Sequence, residues 1–118
     1  MEKYIEIDGR KIKFKATAAT PRIYRIKFRS DLMVDLNRLA KASVNNDFSV
    51  PDLELFENVA YIMARQADDS IPDNVIDWLD DFSTFAIRDI LPGILELWKA
   101  NTETQIESKK NLKKAIGK

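Results

Sequence analysis

The chain opens on alternation. In YIEIDGRKIKFK, Ile5 and Ile7 alternate with polar residues, Ile12 and Phe14 do the same, and Asp8-Gly9 stands between the two runs. Asp-Gly between period-two segments predicts a β-hairpin. A loop of two or four residues puts all four apolar side chains on one face. A three-residue loop splits them unless a bulge intervenes, and is rejected. A lone hairpin is marginal in water, so this face needs apolar cover from the helices that follow.

The period changes after KATAATP. Thr20-Pro21 reads as an N-cap and first helical residue. Ile23 and Ile26 are three apart, Tyr24 and Phe28 four apart, which gives two adjacent stripes and a wide buried face. On this reading Ile23, Ile26 and Phe28 pack under or beside the hairpin, and Arg22, Arg25 and Arg29 face water or an acidic partner. Ser30-Asp31 either caps a second helix, whose inward positions are Leu32, Leu36, Leu39 and Ala40, or is a soft spot in one continuous helix. SVNNDFSVP is a break. A third helix starts near Ser49 to Pro51, with Leu53, Phe56, Val59, Ala60 and Met63 inward and Leu55 and Ile62 widening the stripe. Asp52, Glu54 and Glu57 fall in its first turns, where the helix dipole favours acids. It ends around QADDSIP. Ser70 to Pro72 starts another, with Val75, Trp78, Leu79 and Phe82 inward, and Phe85, Ala86, Ile90, Ile94, Leu95 and Trp98 continue the apolar series. Pro92-Gly93 should kink or break it. The fold class is α+β: an N-terminal β-hairpin followed by four or five packed helices. Residues 1–100 form a single globular domain, and 101–118 a basic C-terminal tail or helix extension.

Composition narrows the chemistry. The 118 residues fit one domain, and 45% hydrophobic with 32% charged content is ordinary globular material. There is no cysteine and no histidine, which removes disulfides, Cys- or His-ligated metals and His-based triads. No apolar run approaches a membrane span, and MEKYIEIDGR does not read as a signal peptide. Net charge is zero but unevenly laid out. Residues 1–30 carry nine basic and three acidic groups, 31–98 four and fourteen, and 99–118 six and two. The basic ends suit contact with an acidic middle, in the same molecule or a neighbour.

Asp77 and Asp81, four apart, are the best paired carboxylates, and a solvated helix face is the simpler account of them. Three glycines offer neither a dinucleotide fingerprint nor a phosphate loop. No catalytic, cofactor-binding or metal residues are assigned, no cofactor is expected, and the chain reads as a non-enzyme. Lys11, Lys13 and Lys15, opposite Ile12 and Phe14, with Arg22, Arg25, Lys27 and Arg29, give a small nucleic-acid-binding regulator as the alternative function. The acidic middle and the lack of a recognised DNA-binding module weigh against nucleic acid. The aromatics fit core stripes. Leu95 and Trp98 otherwise form an exposed seam for another subunit or client, and Phe48 either contacts a client or pins its loop to the core.

Three segments carry a resemblance: the hairpin, TPRIYRIKFRSDLMVDLNRL, and WLDDFSTFAIRDILPGILELWKANTETQ. Over most of residues 3–105 the chain resembles the tail assembly chaperones of long-tailed phages and prophages of Gram-positive bacteria. Trp78, Phe82, Pro92, Ile94, Leu97 and Trp98 match that family's W…F…P.I..LW pattern. The resemblance implies a non-catalytic protein of the host bacterial cytoplasm that binds the tape measure protein before the tail tube assembles. It implies absence from the mature virion and self-association into homo-oligomers. It also implies contact with tail tube protein through a frameshifted longer form, of which a chain ending in KKNLKKAIGK would be the short form. Interaction candidates are Arg22, Arg25, Arg29, Phe48, Leu95 and Trp98.

Overall fold

A computed structural model describes residues 1–98; the expected tail over 101–118 lies outside the described residues. Strands β1 (Glu2–Ile7) and β2 (Arg10–Lys15) pair antiparallel with Ile7 opposite Arg10 and Ile5 opposite Ile12. The loop is therefore the two residues Asp8-Gly9, both at positive φ (52° and 78°), the geometry that matches strand twist. Ile5, Ile7, Ile12 and Phe14 share the inner face, and Ile7 and Phe14 are buried.

Among the described residues five helical segments follow: α1 (Thr20–Phe28), α2 (Leu32–Asn45), α3 (Val50–Ala67), α4 (Val75–Leu79) and α5 over 91–98. A 3₁₀ turn, Arg88–Ile90, leads into the last. The α+β architecture is thus the one the patterning predicts. The centre of the molecule is α3, which touches β2, α1, α2 and α4. Val59 through Ala64 are all buried, so its C-terminal half is surrounded rather than one-sided. Ser49 and Asp52 form a capping box at its start. Arg38 of α2 donates to the Asp52 carboxylate at 2.6 Å, which ties α2 to that box.

Several local expectations are corrected. The N-cap of α1 is Ala19, not Thr20. The Thr20 hydroxyl accepts from the Thr17 N–H at 2.9 Å and donates to Gln66 at 2.5 Å, so it clamps α1 onto α3 instead of capping. Of the two stripes on α1, Tyr24 and Phe28 face the core. Ile23 is 38% and Ile26 71% exposed, so neither packs under the hairpin. The ambiguity at Ser30 resolves as two helices: Arg29 is left-handed (φ 54°) and Asp31 caps α2 by accepting from the Met33 and Val34 N–H groups. Helix α4 is capped by Asn74, not begun at Ser70 to Pro72, and ends at Leu79, so Asp77 and Asp81 do not share a continuing helix. Pro92 does not break a helix; it lies in the first turn of α5, where its missing N–H has no intrahelical partner to lose. Gly93 permits close packing there, since a Cβ would stand 2.9 Å from Ile5 Cδ1.

Tyr24 holds the choice of stripe in place. Its hydroxyl donates at 2.7 Å to the buried Asp35 carboxylate, which also accepts from Ser30 at 2.6 Å. Burial, reinforced by the Asp35 carboxylate, pushes the Tyr24 hydroxyl pKa well above its ordinary value, so it stays a donor. Tyr24→Phe removes one of the two hydroxyl donors of a buried carboxylate and is expected to cost about 1–3 kcal/mol. Urea denaturation with an unchanged m-value would measure it; a midpoint equal to that of the parent would contradict it.

Candidate protein-binding surface

Between α4 and the 3₁₀ turn the chain makes no long element, and its position is set from the hairpin tip. The Asp8 carboxylate accepts from the Ser83 N–H at 2.7 Å and from the Ser83 hydroxyl at 2.8 Å. Arg10 donates to the Asp81 carbonyl at 3.0 Å and stacks over the Phe82 ring, 4.9 Å from its centroid. Phe82 in turn ends a chain of aromatic contacts, Tyr24–Phe28–Tyr61–Trp78–Phe82, with centroid separations of 5.2–6.5 Å. Residues 81–83 are thereby pinned on both sides.

The pinning leaves Phe85 outside. It was expected inward, but it is 64% exposed, because the turn at Ser83-Thr84 takes it off the stripe that Phe82 occupies. Beside it lies a cavity of about 160 Å³, walled by Leu53, Phe56, Leu79, Phe82 and Ile87. Glu57 and Arg88 also line it. Burial, then the neighbouring Glu54, raises the Glu57 carboxyl above the ordinary carboxylate range. Arg88 lies 6.0 Å from the centroid of the Phe48 ring, so half-buried Phe48 flanks the same rim. An apolar hollow with one exposed aromatic and one mobile-stemmed cation is suited to receiving apolar side chains of a partner helix.

The six expected interaction residues do not gather here. Phe48 alone lies beside the hollow. Arg22, Arg25 and Arg29 are exposed, and Arg22 and Arg25 line a separate shallow groove with Ser30 and Asp31. Leu95 is half-buried, and Trp98 is 6% exposed with its Nε1 donating to Met63 Sδ at 3.1 Å. The expected Leu95–Trp98 seam is therefore a core contact of α5 on α3. Phe85 and Arg88 were missed as a surface; the Ser-Thr pair just before Phe85 was the available sign of a break.

The Asp8 tether has a pH signature. Its carboxyl pKa is held below the ordinary value, first by the Ser83 N–H and then by the Ser83 hydroxyl. A depressed folded-state value means the stabilisation is present above the unfolded-state pKa and is lost as pH falls through the folded one. Asp8→Asn keeps a residue that tolerates positive φ and removes the titrating charge, leaving one oxygen to accept from the Ser83 N–H while the amide NH2 replaces the other acceptor. The acid limb of the stability profile, from pH 6 to pH 3 in urea melts, is expected to be shallower in the variant. An unchanged limb would show that the tether carries none of it.

No known family model, no curated protein and no solved structure matches this chain. Among the described residues no helix is long and apolar enough to cross a membrane, and no cluster of three or more acids is placed to hold a metal ion.

Proposed function

We propose that the chain is a phage tail assembly chaperone, which binds the tape measure protein stoichiometrically before the tail tube assembles. The reading is supported by its resemblance to that family, and the observation that carries its mechanism is the exposed Phe85 beside an apolar hollow. A long helical client needs its apolar stripes covered, and a helix laid across Phe85, Leu79 and Leu53 would place successive apolar side chains in that hollow. The matched residues Trp78, Ile94, Leu97 and Trp98 are buried, so what they carry is a packing arrangement rather than a binding site. The client surface lies on the same segment but on Phe85.

The chaperone is not catalytic, acts in the host cytoplasm, and self-associates through its exposed arginines on the acidic 31–98 surface of a neighbour. Arg25→Glu is expected to shift size-exclusion elution toward the monomer at low salt; identical elution across concentration and salt would remove the arginines from that contact. A nucleic-acid role is less well supported, because the hairpin's outer face interleaves Lys11, Lys13 and Lys15 with Glu2 and Glu6. Lys13 is already bridged to Glu2 at 3.0 Å. Co-expression with a tape measure protein, followed by affinity capture, tests the proposal. A soluble complex, with that protein insoluble alone, is expected. Failure of both capture and rescue would overturn it.

A further inference from the structure

A second surface lies on the other side of the hairpin. Met1 and Ala16 exchange both backbone hydrogen bonds, at 2.7 and 2.8 Å. In an antiparallel ladder doubly bonded pairs alternate with unbonded ones. Hence 3–14, 5–12 and 7–10 are bonded, whereas the N–H and C=O groups of Lys11, Lys13 and Lys15 point away from β1. Within the two-stranded sheet β2 has no neighbour on that side, and among the described residues no backbone group is bonded to those three. A groove of about 430 Å³ runs there. It is lined both by inner-face residues of β2 (Arg10, Ile12) and by outer-face ones (Lys11, Lys13), so it follows the strand's edge. Half-buried Ile71 contributes apolar surface across from it, over the buried Trp78.

We propose that this groove binds an extended segment of a partner polypeptide as a third strand, one that alternates acidic and apolar residues. The bare edge supplies the main-chain hydrogen bonds. Side chains of an added strand alternate between faces. Those on the outer face stand beside Lys11 and Lys13, which line the groove and would share their charge between Glu6 and Glu2 on β1 and an acidic side chain of the added strand; those on the inner face meet Ile12 and Ile71 and are best apolar. Asp68 and Asp81 also line the groove, so a uniformly acidic segment fits worse than an alternating one. A second copy of β2 is disfavoured, because antiparallel edge pairing would set lysines against lysines. Residues 99–118 are a poor occupant too, with six basic groups to two acidic. This site does not depend on the chaperone reading.

The probe is a fluorescein-labelled, end-blocked peptide of alternating Glu and Ile, followed by fluorescence anisotropy against the full chain. Saturable binding is expected, at least tenfold tighter than that of an all-Glu peptide of equal length. Lys11→Gln with Lys13→Gln should weaken it at least fivefold. N-methylation of alternate peptide amides, on the register that faces β2, should abolish it. Lys13→Pro deletes an outward N–H without removing a β1–β2 bond and should abolish it as well; if circular dichroism shows that variant misfolded, the N-methylated peptide decides. Absence of binding, or binding indifferent to N-methylation, would overturn the proposal and leave the lysines as guards of a bare edge.

Discussion

Phe85→Ser is expected to leave the thermal midpoint within about 2 °C of the parent, because a side chain 64% exposed has little burial to lose. The same change should weaken client capture at least tenfold. An aromatic anchor at the centre of an interface is the kind of residue whose truncation costs about 2 kcal/mol or more. The two readouts move apart only if Phe85 is a surface residue with a partner. Capture unchanged by Phe85→Ser would detach the hollow from the client. A large drop in melting temperature would mean that Phe85 packs against the body after all.

Trp98→Ala should do the reverse. The indole is buried where α5 meets α3, with its N–H on the Met63 sulfur. Deleting it opens a cavity and removes the contact, for about 3–5 kcal/mol. For a domain of this size that corresponds to roughly 12–20 °C in Tm. Any loss of client binding should then be recovered at low temperature, where the variant is folded. A variant that melts with the parent and fails to bind would restore Trp98 as a surface residue.

What was legible in the sequence follows the range of the interactions. The hairpin and its shared apolar face were readable, because Asp8-Gly9 and the alternation around it are local signals; the choice of a two-residue over a four-residue loop came from the Ile7–Arg10 pairing. The start of α3 near Ser49 was legible too, and Asp31 was one of two readings at Ser30; both caps bond within three residues. Thr20 was misread because its hydroxyl is taken by Thr17 and by Gln66, forty-six positions away. The two stripes of α1 were equivalent by spacing; Asp35 and the ring of Tyr61, on other helices, select Tyr24 and Phe28 over Ile23 and Ile26. The stretch from Asp80 to Ile87 was least legible, since it is held by Asp8 and Arg10 from the opposite end of the chain, and periodicity carries no record of such contacts. Phe85 was hidden for the same reason. Its exposure depends on how the hairpin tip fixes Phe82 and Ser83.

The most direct test of the account is hydrogen exchange on the free chain and on the chain co-purified with its proposed client, a tape measure protein. Added protection is predicted over Leu79 to Arg88 and around Phe48, the backbone that carries the hollow and its rim. Protection confined to other surfaces, with exchange over Leu79 to Arg88 unchanged, would contradict it.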